Sequence, residues 1–407
     1  MADISFSKAL QESLKQVRST TQTEYVSLEN ALSKVLAEDI KVIKDLPSFD
    51  NSAMDGFAYR YEERTKKLKI AKTIFAGDVI EPLLEANECY KIMTGAKIPN
   101  DVDTIAPFEK CVVEEGFVRV PQNLPQGANF RKKGEEVCVG EILLKKGTTL
   151  TSSEIALLAA QGITKIKVFK KLSIAVLSSG NELKEPWEEA NEDEIYNANG
   201  FGIVALLAEA GFDPKYVGKL PDDLQATTSF IKELLTYDVI ISTGGISAGE
   251  ADFLYQAYKE NGLSTIFKGV RLKPGHPVMI GNINNTTVIA LPGNPLTTLV
   301  VAHALAIPLL GVKQGKKEVF YNFFYAPLIQ ELSFRGKRTT LVLGKMKNGA
   351  FYPTRGGKVG SGMLSPLCES DVIAYFDEET SSVSKDTLIK VVPLRGYSYI
   401  KEFALIN

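Results

Sequence analysis

The chain has 407 residues, of which 44% are hydrophobic and 24% charged, and its formal net charge at pH 7 is −2. This length predicts about two to four domains, and the nearly balanced charge does not favour nucleic acid as a partner. No apolar run reaches the roughly 20 residues of a membrane-spanning helix, and the first residues lack the pattern of a secretory signal. The four cysteines form no Cys-x-x-Cys pair, so we expect a cytoplasmic protein without membrane association, zinc or disulfide bonds.

The first third of the chain changes its pattern twice. Residues 1–46 are predicted to be helical, because apolar residues recur at helical spacing near the start and again behind Ser27, a candidate capping residue. In 47–140, short β-like runs are separated by Gly, Pro, Asn and Asp, which is typical of an all-β module. Residues 141–170 return to a helical pattern around "TSSEIALLAAQG". We therefore expect a β domain inserted into a helical domain.

The remainder predicts a multidomain α/β plus β chain. In 171–315, strand patterns alternate with helical ones, which predicts a parallel sheet with helices on both faces. The last helix of this region, 296–311, contains His303, which is expected to be a core histidine with satisfied hydrogen bonds. Short β-like runs resume in 316–407 and predict a small C-terminal β domain.

Each predicted strand of the α/β region is followed by a loop of unusual composition. Three loops, "SGNEL", "PDD" and "GGISAGEAD", carry Glu182, Asp222 and Asp252, and the fourth is "PGNP". Because ligands of a parallel sheet bind beyond the carboxyl ends of its strands, we expect these loops to share one edge. Backbone N–H groups of the glycine-rich loop could hold a phosphate, and the carboxylates could hold Mg²⁺ beside it.

Simpler explanations stay open for each feature alone. Gly244 and Gly245 could serve only tight strand-to-helix packing, and Asp222 or Asp223 could simply cap a helix. The basic residues around "KPGHP" (273–277) could form a solvated surface or neutralise an anionic ligand. Neither packing nor capping explains why three such loops should coincide on one edge.

Seven stretches, taken in order, resemble the molybdopterin molybdenumtransferase (MoeA) family, which includes the C-terminal part of gephyrin. They are "FDNSAMDGFA" (49–58), "IMTGAKIP" (92–99), "NFRKKGEE" (129–136), "SSGNEL" (178–183), "STGGISAGEAD" (242–252), "KPGHP" (273–277) and "LPGNP" (291–295). Together they span most of the chain, and the first and fifth are the most specific.

This resemblance implies a domain arrangement and a reaction. The expected domains are a helical linker domain (1–46 and 141–170), an inserted β domain (47–140), a molybdopterin-binding α/β domain (171–315) and a β-barrel-like C-terminal domain (316–407). The family also implies an elongated homodimer with its active site between the α/β domain of one subunit and the inserted β domain of the other. The implied reaction takes adenylylated molybdopterin and molybdate, needs a divalent cation such as Mg²⁺, and yields molybdenum cofactor and AMP.

By motif position, the family's functional residues fall on two groups in this chain. Catalytic roles are implied for Asp55, Thr94, Glu182, Asp222 and Asp252. Binding roles are implied for two prolines and a basic patch, namely Pro292, Pro295, Arg131, Lys132 and Lys133. We expect the glycine loop to bind the phosphate end of the pterin through Gly244, Gly245, Ser247 and Gly249. The metal would be held by Glu182, Asp222 and Asp252, while Lys273 and the basic patch would attract molybdate.

The chain departs from the family pattern in places, and other functions are conceivable. Glu136 stands where an Asp is common, and His276 stands where a Lys is common, which weakens a cationic role there. The motif "GSGMLSPL" (360–367) is followed by divergent residues, so roles for Arg338 and Ser361 are the least supported.

The alternative enzyme is a molybdopterin adenylyltransferase, which would lack the inserted module with "NSAMDGFA". A scaffold role, by analogy with gephyrin, is a third hypothesis.

Overall fold

The computed structural model describes five stretches of the chain: 4–79, 83–220, 223–245, 253–335 and 337–394. The chain divides into two compact units. The first, called here the α/β unit, comprises Met1–Ala37, Gly147–Thr151 and Lys165–Asn407. The second, called the β unit, comprises Glu38–Lys146 and Ser152–Thr164. The four domain boundaries drawn from the sequence stay predictions.

The central sheet of the α/β unit has six strands. Their order is Pro214–Lys219, Ile174–Ser178, Val239–Thr243, Thr286–Leu291, Met279–Ile283 and Ser264–Lys268. The first four are parallel neighbours, whereas Met279–Ile283 runs antiparallel to the strands on both its sides. The predicted parallel sheet is therefore correct for four strands, and the whole sheet is mixed. The strand Ile174–Ser178 is buried throughout, which explains its uninterrupted apolar run.

Helices cover both faces of this sheet, as predicted. Because side chains alternate along a strand, Ile174 and Val176 enter one core while Ala175 and Leu177 enter the other. The first core also receives side chains of Phe6–Gln16, Ala198–Glu209, Pro295–Val301, Ala302–Ala306 and Ile307–Lys313. The second core receives those of Leu224–Leu234 and Phe253–Glu260.

One helical run, Pro295–Lys313, is long and apolar enough to cross a membrane by length and composition. In the structure, 83% of the most apolar 18-residue segment of this run is buried inside the protein. That burial is the behaviour of a core helix, and the His303 side chain lies within this buried stretch with 1% of its surface exposed.

A second sheet of the α/β unit collects the C-terminal strands. Its path is Ile4–Ser5, Val270–Lys273, Thr339–Lys347, Val372–Phe376, Leu388–Pro393 and Phe324–Pro327, with Ala350–Pro353 paired to Thr339–Lys347. The β strands after residue 315 are confirmed, but Ile4–Ser5 and Val270–Lys273 join them from outside the predicted domain. Smaller elements nearby are Leu332–Ser333, Thr354–Gly357, Ser365–Cys368 and Ser382–Val383.

The helix predicted behind Ser27 is wrong. Thr23–Ser27 is a strand paired with Lys165–Phe169, and only the short 3₁₀ turn Leu28–Asn30 follows it. The Ser27 hydroxyl accepts a hydrogen bond from the side-chain amide of Asn30 at 3.0 Å instead of capping the backbone. The prediction depended on Ser27 capping the backbone of a helix, and this cap does not form.

Tertiary pairing also overrides the apolar spacing that suggested this helix. Val35 bridges to Thr149 and Leu36 bridges to Val168, and both apolar side chains are buried in extended backbone. Their partners lie more than a hundred residues away in the chain, so no local pattern predicts them. Within 141–170, only Ser152–Ala160 is helical.

The β unit is built on a six-stranded sheet, in agreement with the predicted β module. Its strand order is Thr104–Pro107, Gly56–Tyr59, Glu88–Ile92, Leu68–Ile74, Phe117–Arg119 and Val112–Glu114. The unit also contains two separate antiparallel pairs, Asn51–Ser52 with Phe130–Arg131 and Ile40–Lys41 with Ile142–Leu144. Short 3₁₀ turns occur at Tyr61–Glu63 and Phe108–Lys110.

Candidate functional site

The carboxyl ends of the four parallel strands lie at one edge of the central sheet. The register pairs Ser178 with both Thr243 and Lys219, and pairs Thr243 with Leu291. The ladder continues past the strand end, where the Gly244 N–H donates to the Leu291 carbonyl at 3.1 Å. The prediction that the four loops begin on the same edge is therefore confirmed.

Close backbone packing explains two glycines of this edge. Gly244 and Gly245 have φ values of +83° and +67°, which favour glycine. A Cβ on Gly244 would lie 2.5 Å from the Ser179 carbonyl oxygen, so the loop passes directly against the neighbouring strand end. A Cβ on Gly293 would lie 3.6 Å from the Gly244 Cα, which brings the "LPGNP" loop to the same place. The packing explanation is thus supported, and anion binding stays a prediction.

Glu182 is the one predicted metal ligand within the described residues. A Cβ on Gly180 would lie 2.7 Å from Glu182 Oε2, so the carboxylate folds back over the loop that leaves the strand. The Glu182 side chain is exposed and forms no ion pair with the described residues. Lys219 Nζ donates to the Leu183 carbonyl at 2.9 Å, which places a cation at this loop that the sequence analysis missed. Its position at the end of the predicted strand, two residues before "PDD", was the available signal.

Four other predicted residues of this edge, namely Asp222, Ser247, Gly249 and Asp252, lie outside the described residues. Asp223 is described, and its Oδ1 accepts from the Ala226 N–H at 2.8 Å, which makes it the cap of Leu224–Leu234. In the described part of the chain, no group of three His, Cys, Asp or Glu side chains could hold a metal ion. The magnesium site therefore stays a prediction.

A buried hydrogen-bond network lies beneath this edge and was not predicted. Thr243 Oγ1 donates to Ser178 Oγ at 3.2 Å, and Ser178 Oγ donates to Asn197 Oδ1 at 3.0 Å. Asn197 Nδ2 donates to the Tyr216 hydroxyl at 2.7 Å, which donates to Glu185 Oε1 at 2.5 Å. Burial, followed by the Glu185 carboxylate, raises the pKa of Tyr216. The network joins three strands to the start of a helix, because Asn197 also caps Ala198–Glu209.

The two proline positions frame the start of a core helix. Pro295 is the first residue of Pro295–Val301, and Thr298 Oγ1 donates to the Pro292 carbonyl at 2.5 Å. Asn294 Nδ2 donates to Ser361 Oγ at 3.2 Å, so the structure brings Ser361 to the "LPGNP" loop. No hydrogen bond or ion pair within the described stretches joins Arg338 to this loop.

The basic residues around "KPGHP" have mostly structural partners. Arg271 Nε lies 2.8 Å from Glu378 Oε2, and this pairing lowers the pKa of Glu378. Lys268 Nζ lies 3.8 Å from the centre of the Tyr255 ring. Lys273 ends the strand Val270–Lys273 and is exposed. The surface interpretation is therefore favoured for Arg271 and Lys268, while Lys273 keeps its predicted role untested.

His276 and Glu136 mark the two departures from the family pattern. His276 Nδ1 lies 3.2 Å from the Val270 carbonyl, so this ring makes a local contact within its own turn. The Glu136 N–H donates to the Leu46 carbonyl at 3.0 Å, and its side chain is exposed. Both contacts are made within the protein, so they do not indicate a role for either residue in ligand binding.

Three motif segments that are distant in the sequence meet in the β unit. The strand Asn51–Ser52 pairs with Phe130–Arg131. Ser52 also bonds the segment 92–99: the Gly95 N–H donates to the Ser52 carbonyl at 2.8 Å, and the Ser52 N–H donates to the Ala96 carbonyl at 3.0 Å. The segments 49–58, 92–99 and 129–136 therefore form one cluster, although they are distant from one another in the sequence.

Asp55 and Thr94 form a direct pair in this cluster. Asp55 Oδ1 accepts from the Thr94 backbone N–H at 2.7 Å and from Thr94 Oγ1 at 2.8 Å. These two donors, the backbone one first, hold the pKa of Asp55 below its usual value. Both residues are exposed, so the ionised carboxylate is accessible.

The basic patch belongs to the same cluster. Arg131, Lys132 and Lys133 are all exposed, and Lys133 Nζ lies 3.3 Å from Asp45 Oδ2. The Lys133 backbone N–H donates to Asp50 Oδ1 at 2.7 Å, which fixes the turn that carries the patch. The cations are therefore presented to solvent on an ordered turn.

Comparison with known proteins agrees with these motifs. The family described as "MoeA N-terminal region (domain I and II)" matches residues 4–162, and "Probable molybdopterin binding domain" matches residues 175–311. A molybdopterin molybdenumtransferase of Haemophilus influenzae is 30% identical over 402 residues, which cover 96% of this chain and 98% of that relative. The crystal structure of a molybdopterin biosynthesis moeA protein from Pyrococcus horikoshii OT3 superposes with a TM-score of 0.83 at 25% identity, covering 96% of this chain and 100% of that one.

The α/β unit with its glycine-rich sheet edge and the separate β unit define a class of multidomain enzymes of molybdenum cofactor biosynthesis. Within that class, the chain belongs to the molybdopterin molybdenumtransferase (MoeA) family.

Proposed function

We propose that this enzyme takes adenylylated molybdopterin and molybdate and yields molybdenum cofactor, releasing AMP. The observation that carries the proposal is the meeting of "SSGNEL", "STGG" and "LPGNP" at the carboxyl edge of one parallel sheet. This edge is where α/β sheets bind phosphorylated ligands. Membership of the family supports a role in molybdenum cofactor biosynthesis. That the pterin substrate is adenylylated is the additional inference.

The proposed roles follow from the chemistry of the side chains. The Gly245 amide would bind the phosphate end of the pterin. The Gly244 N–H already donates to the Leu291 carbonyl, so Gly244 would contribute through its lack of a side chain, which lets the ligand approach the backbone. Lys219 would add positive charge at this edge, because it is exposed at the end of a strand of the central sheet. Molybdate is a tetrahedral dianion, so it would be attracted by Lys273 and by the basic patch at 131–133.

We propose that Mg²⁺ binds at Glu182, together with Asp222 and Asp252. The exposed Glu182 carboxylate fits such a hard cation, because it has no ion pair among the described residues and stands at the strand end. When bound, Mg²⁺ would neutralise phosphate charge during cleavage of the phosphoanhydride. Asp55, held ionised by Thr94, would orient neighbouring donors and would not contact molybdate itself.

The proposal also includes a cytoplasmic homodimer, and the reaction itself can be tested directly. Purified protein is incubated with adenylylated molybdopterin, molybdate and Mg²⁺, and AMP and molybdenum cofactor are quantified. We expect both products to appear together and to depend on molybdate and Mg²⁺. Adenylate formation from ATP and free molybdopterin, without AMP release in the first assay, would instead support the alternative adenylyltransferase. Light scattering coupled to size-exclusion chromatography tests the dimer.

A further inference from the structure

A cavity of about 370 Å³ in the α/β unit is lined by none of the residues assigned to the proposed site. Its walls are mostly apolar and include Leu206, Ile307, Val319, Phe320, Tyr321 and Leu394. Charged side chains of Glu209, Lys316 and Glu318 also line it. The volume falls within the range of about 300–1,000 Å³ that is typical of small-molecule sites.

His303 provides the polar group of this cavity. It is 1% exposed, and neither ring nitrogen has a well-formed hydrogen bond to another described residue. Burial lowers the pKa of the imidazole, and the nearby Pro393 backbone partly opposes this shift. The expected core position of His303 is confirmed, but the expectation that its hydrogen bonds are satisfied is wrong for the described residues. Since buried polar groups are nearly always paired, the unpaired imidazole indicates a ligand or water that binds in the cavity.

The surroundings of His303 are aromatic and irregular. Its ring stacks on the Tyr321 ring, with centroids 4.2 Å apart and an interplanar angle of 3°. It lies in Ala302–Ala306, a π-helical segment that interrupts two α-helices. Such segments occur frequently at functional sites. The aromatic wall favours a flat apolar ligand over an aliphatic one.

The protonation state narrows the ligand further. Burial lowers the pKa of His303 to about 4, so the imidazole is neutral at pH 7. A neutral imidazole offers one donor and one acceptor. A hydroxyl group can satisfy either of them without desolvating a charge. A carboxylate or phosphate would meet one cation in the wall, Lys316, against the two carboxylates of Glu209 and Glu318.

We propose that this cavity binds an uncharged phenolic ring, with the hydroxyl hydrogen-bonded to His303 and the ring against the apolar walls. The ring could belong to a free small molecule or to a tyrosyl side chain, since both share this chemistry. The proposal is independent of the molybdenum chemistry proposed above.

Phenol and toluene test the inference, because they match in size and differ only in OH against CH₃. Ligand-observed NMR titration of the full-length protein should show phenol binding about fivefold or more tightly than toluene, which corresponds to one net hydrogen bond. A purely apolar cavity prefers toluene, because it leaves the phenol hydroxyl unpaired. Stronger toluene binding, equal binding, or no binding of either compound would overturn the proposal.

Two variants locate the binding and guard against misfolding. In His303→Phe, phenol should lose its advantage over toluene; an unchanged preference would contradict the proposal. Leu206→Phe places a larger side chain in a partly exposed wall of the cavity, so it should weaken the binding of both phenol and toluene. This variant still tests the proposal if His303→Phe does not fold. N-acetyltyrosinamide distinguishes a tyrosyl side chain from a free phenolic molecule as the natural ligand. If it binds as tightly as phenol, a tyrosyl side chain is favoured; if it does not bind, a free small molecule is favoured.

Discussion

The two units assemble their motif clusters by different physical means. In the β unit, backbone hydrogen bonds tie Ser52 to the segments at 95–96 and 130–131, so the cluster depends on particular contacts between distant residues. In the α/β unit, each motif simply follows its own strand, and the register of the parallel sheet aligns the strand ends. The sheet edge is therefore a general property of the fold, and its side chains are free to serve chemistry. Substitutions in the two places should consequently have different effects.

The largest expected effect tests the backbone packing of the sheet edge. Gly244→Ala places a Cβ 2.5 Å from the Ser179 carbonyl at a φ of +83°, so we expect a loss of about 2–4 kcal/mol in the free energy of unfolding. Gly262→Ala is the matched control, because its φ is +88° and no atom lies within 4 Å. It should lose only about 1 kcal/mol. Urea denaturation measures both, and equal losses would contradict the packing argument.

A second substitution separates chemistry from folding at the same edge. Glu182→Gln keeps the shape of an exposed side chain but removes its charge, so kcat/KM for cofactor formation should fall about a hundredfold. The free energy of unfolding should change by less than about 0.5 kcal/mol. Glu189→Gln, an exposed carboxylate nearby in the chain, should leave the rate unchanged. A Glu182 variant with full activity would exclude the proposed role.

In the β unit, the pair of Asp55 and Thr94 should behave as one functional element. Asp55→Ala removes the acceptor of both Thr94 hydrogen bonds, and we expect a rate about tenfold lower. Thr94→Val should have a smaller effect, because the backbone N–H still donates to Asp55. The double variant should be no slower than Asp55→Ala, since the two residues act together. Additive losses in steady-state kinetics would show that they act separately.

The smallest expected effect concerns the contact between Ser361 and the "LPGNP" loop. Ser361→Ala removes the hydroxyl that accepts from Asn294 Nδ2 at 3.2 Å. An exposed hydrogen bond of this kind contributes about 1 kcal/mol or less, so KM should rise by no more than about fivefold. Ser361→Thr, which retains a hydroxyl, should stay near the wild-type value. A loss of a hundredfold in kcat would instead give Ser361 a direct part in the reaction.

The elements that the sequence predicted correctly are those with strong local signals. Buried strands such as Ile174–Ser178 read as continuous apolar runs, and their order along the chain placed the four loops on one edge. The resemblance named Asp55 and Thr94 together, and the structure shows them in contact, while their functional roles stay predictions. What these cases share is that the deciding information lies within a few residues or in a specific motif.

The errors have the opposite origin, because they depend on partners distant in the chain. Val35 and Leu36 have helical spacing but are buried by bridges to residues beyond 140. The strand Val270–Lys273 joins the C-terminal sheet through pairing with Thr339–Lys347, which no local pattern indicates. The unsatisfied ring nitrogens of His303 have a different origin, since they reflect the absence of a polar partner among the described residues packed around the ring.

The central claim is that carboxylates at the ends of neighbouring strands hold a divalent cation beside the glycine loop. Its most direct test is anomalous diffraction from crystals of the full-length protein soaked with Mn²⁺ as a stand-in for Mg²⁺. The account predicts one strong peak within about 2.5 Å of carboxylate oxygens from Glu182 and from Asp222 or Asp252, and its loss in Glu182→Gln. A peak elsewhere, or an unchanged peak in that variant, would contradict it.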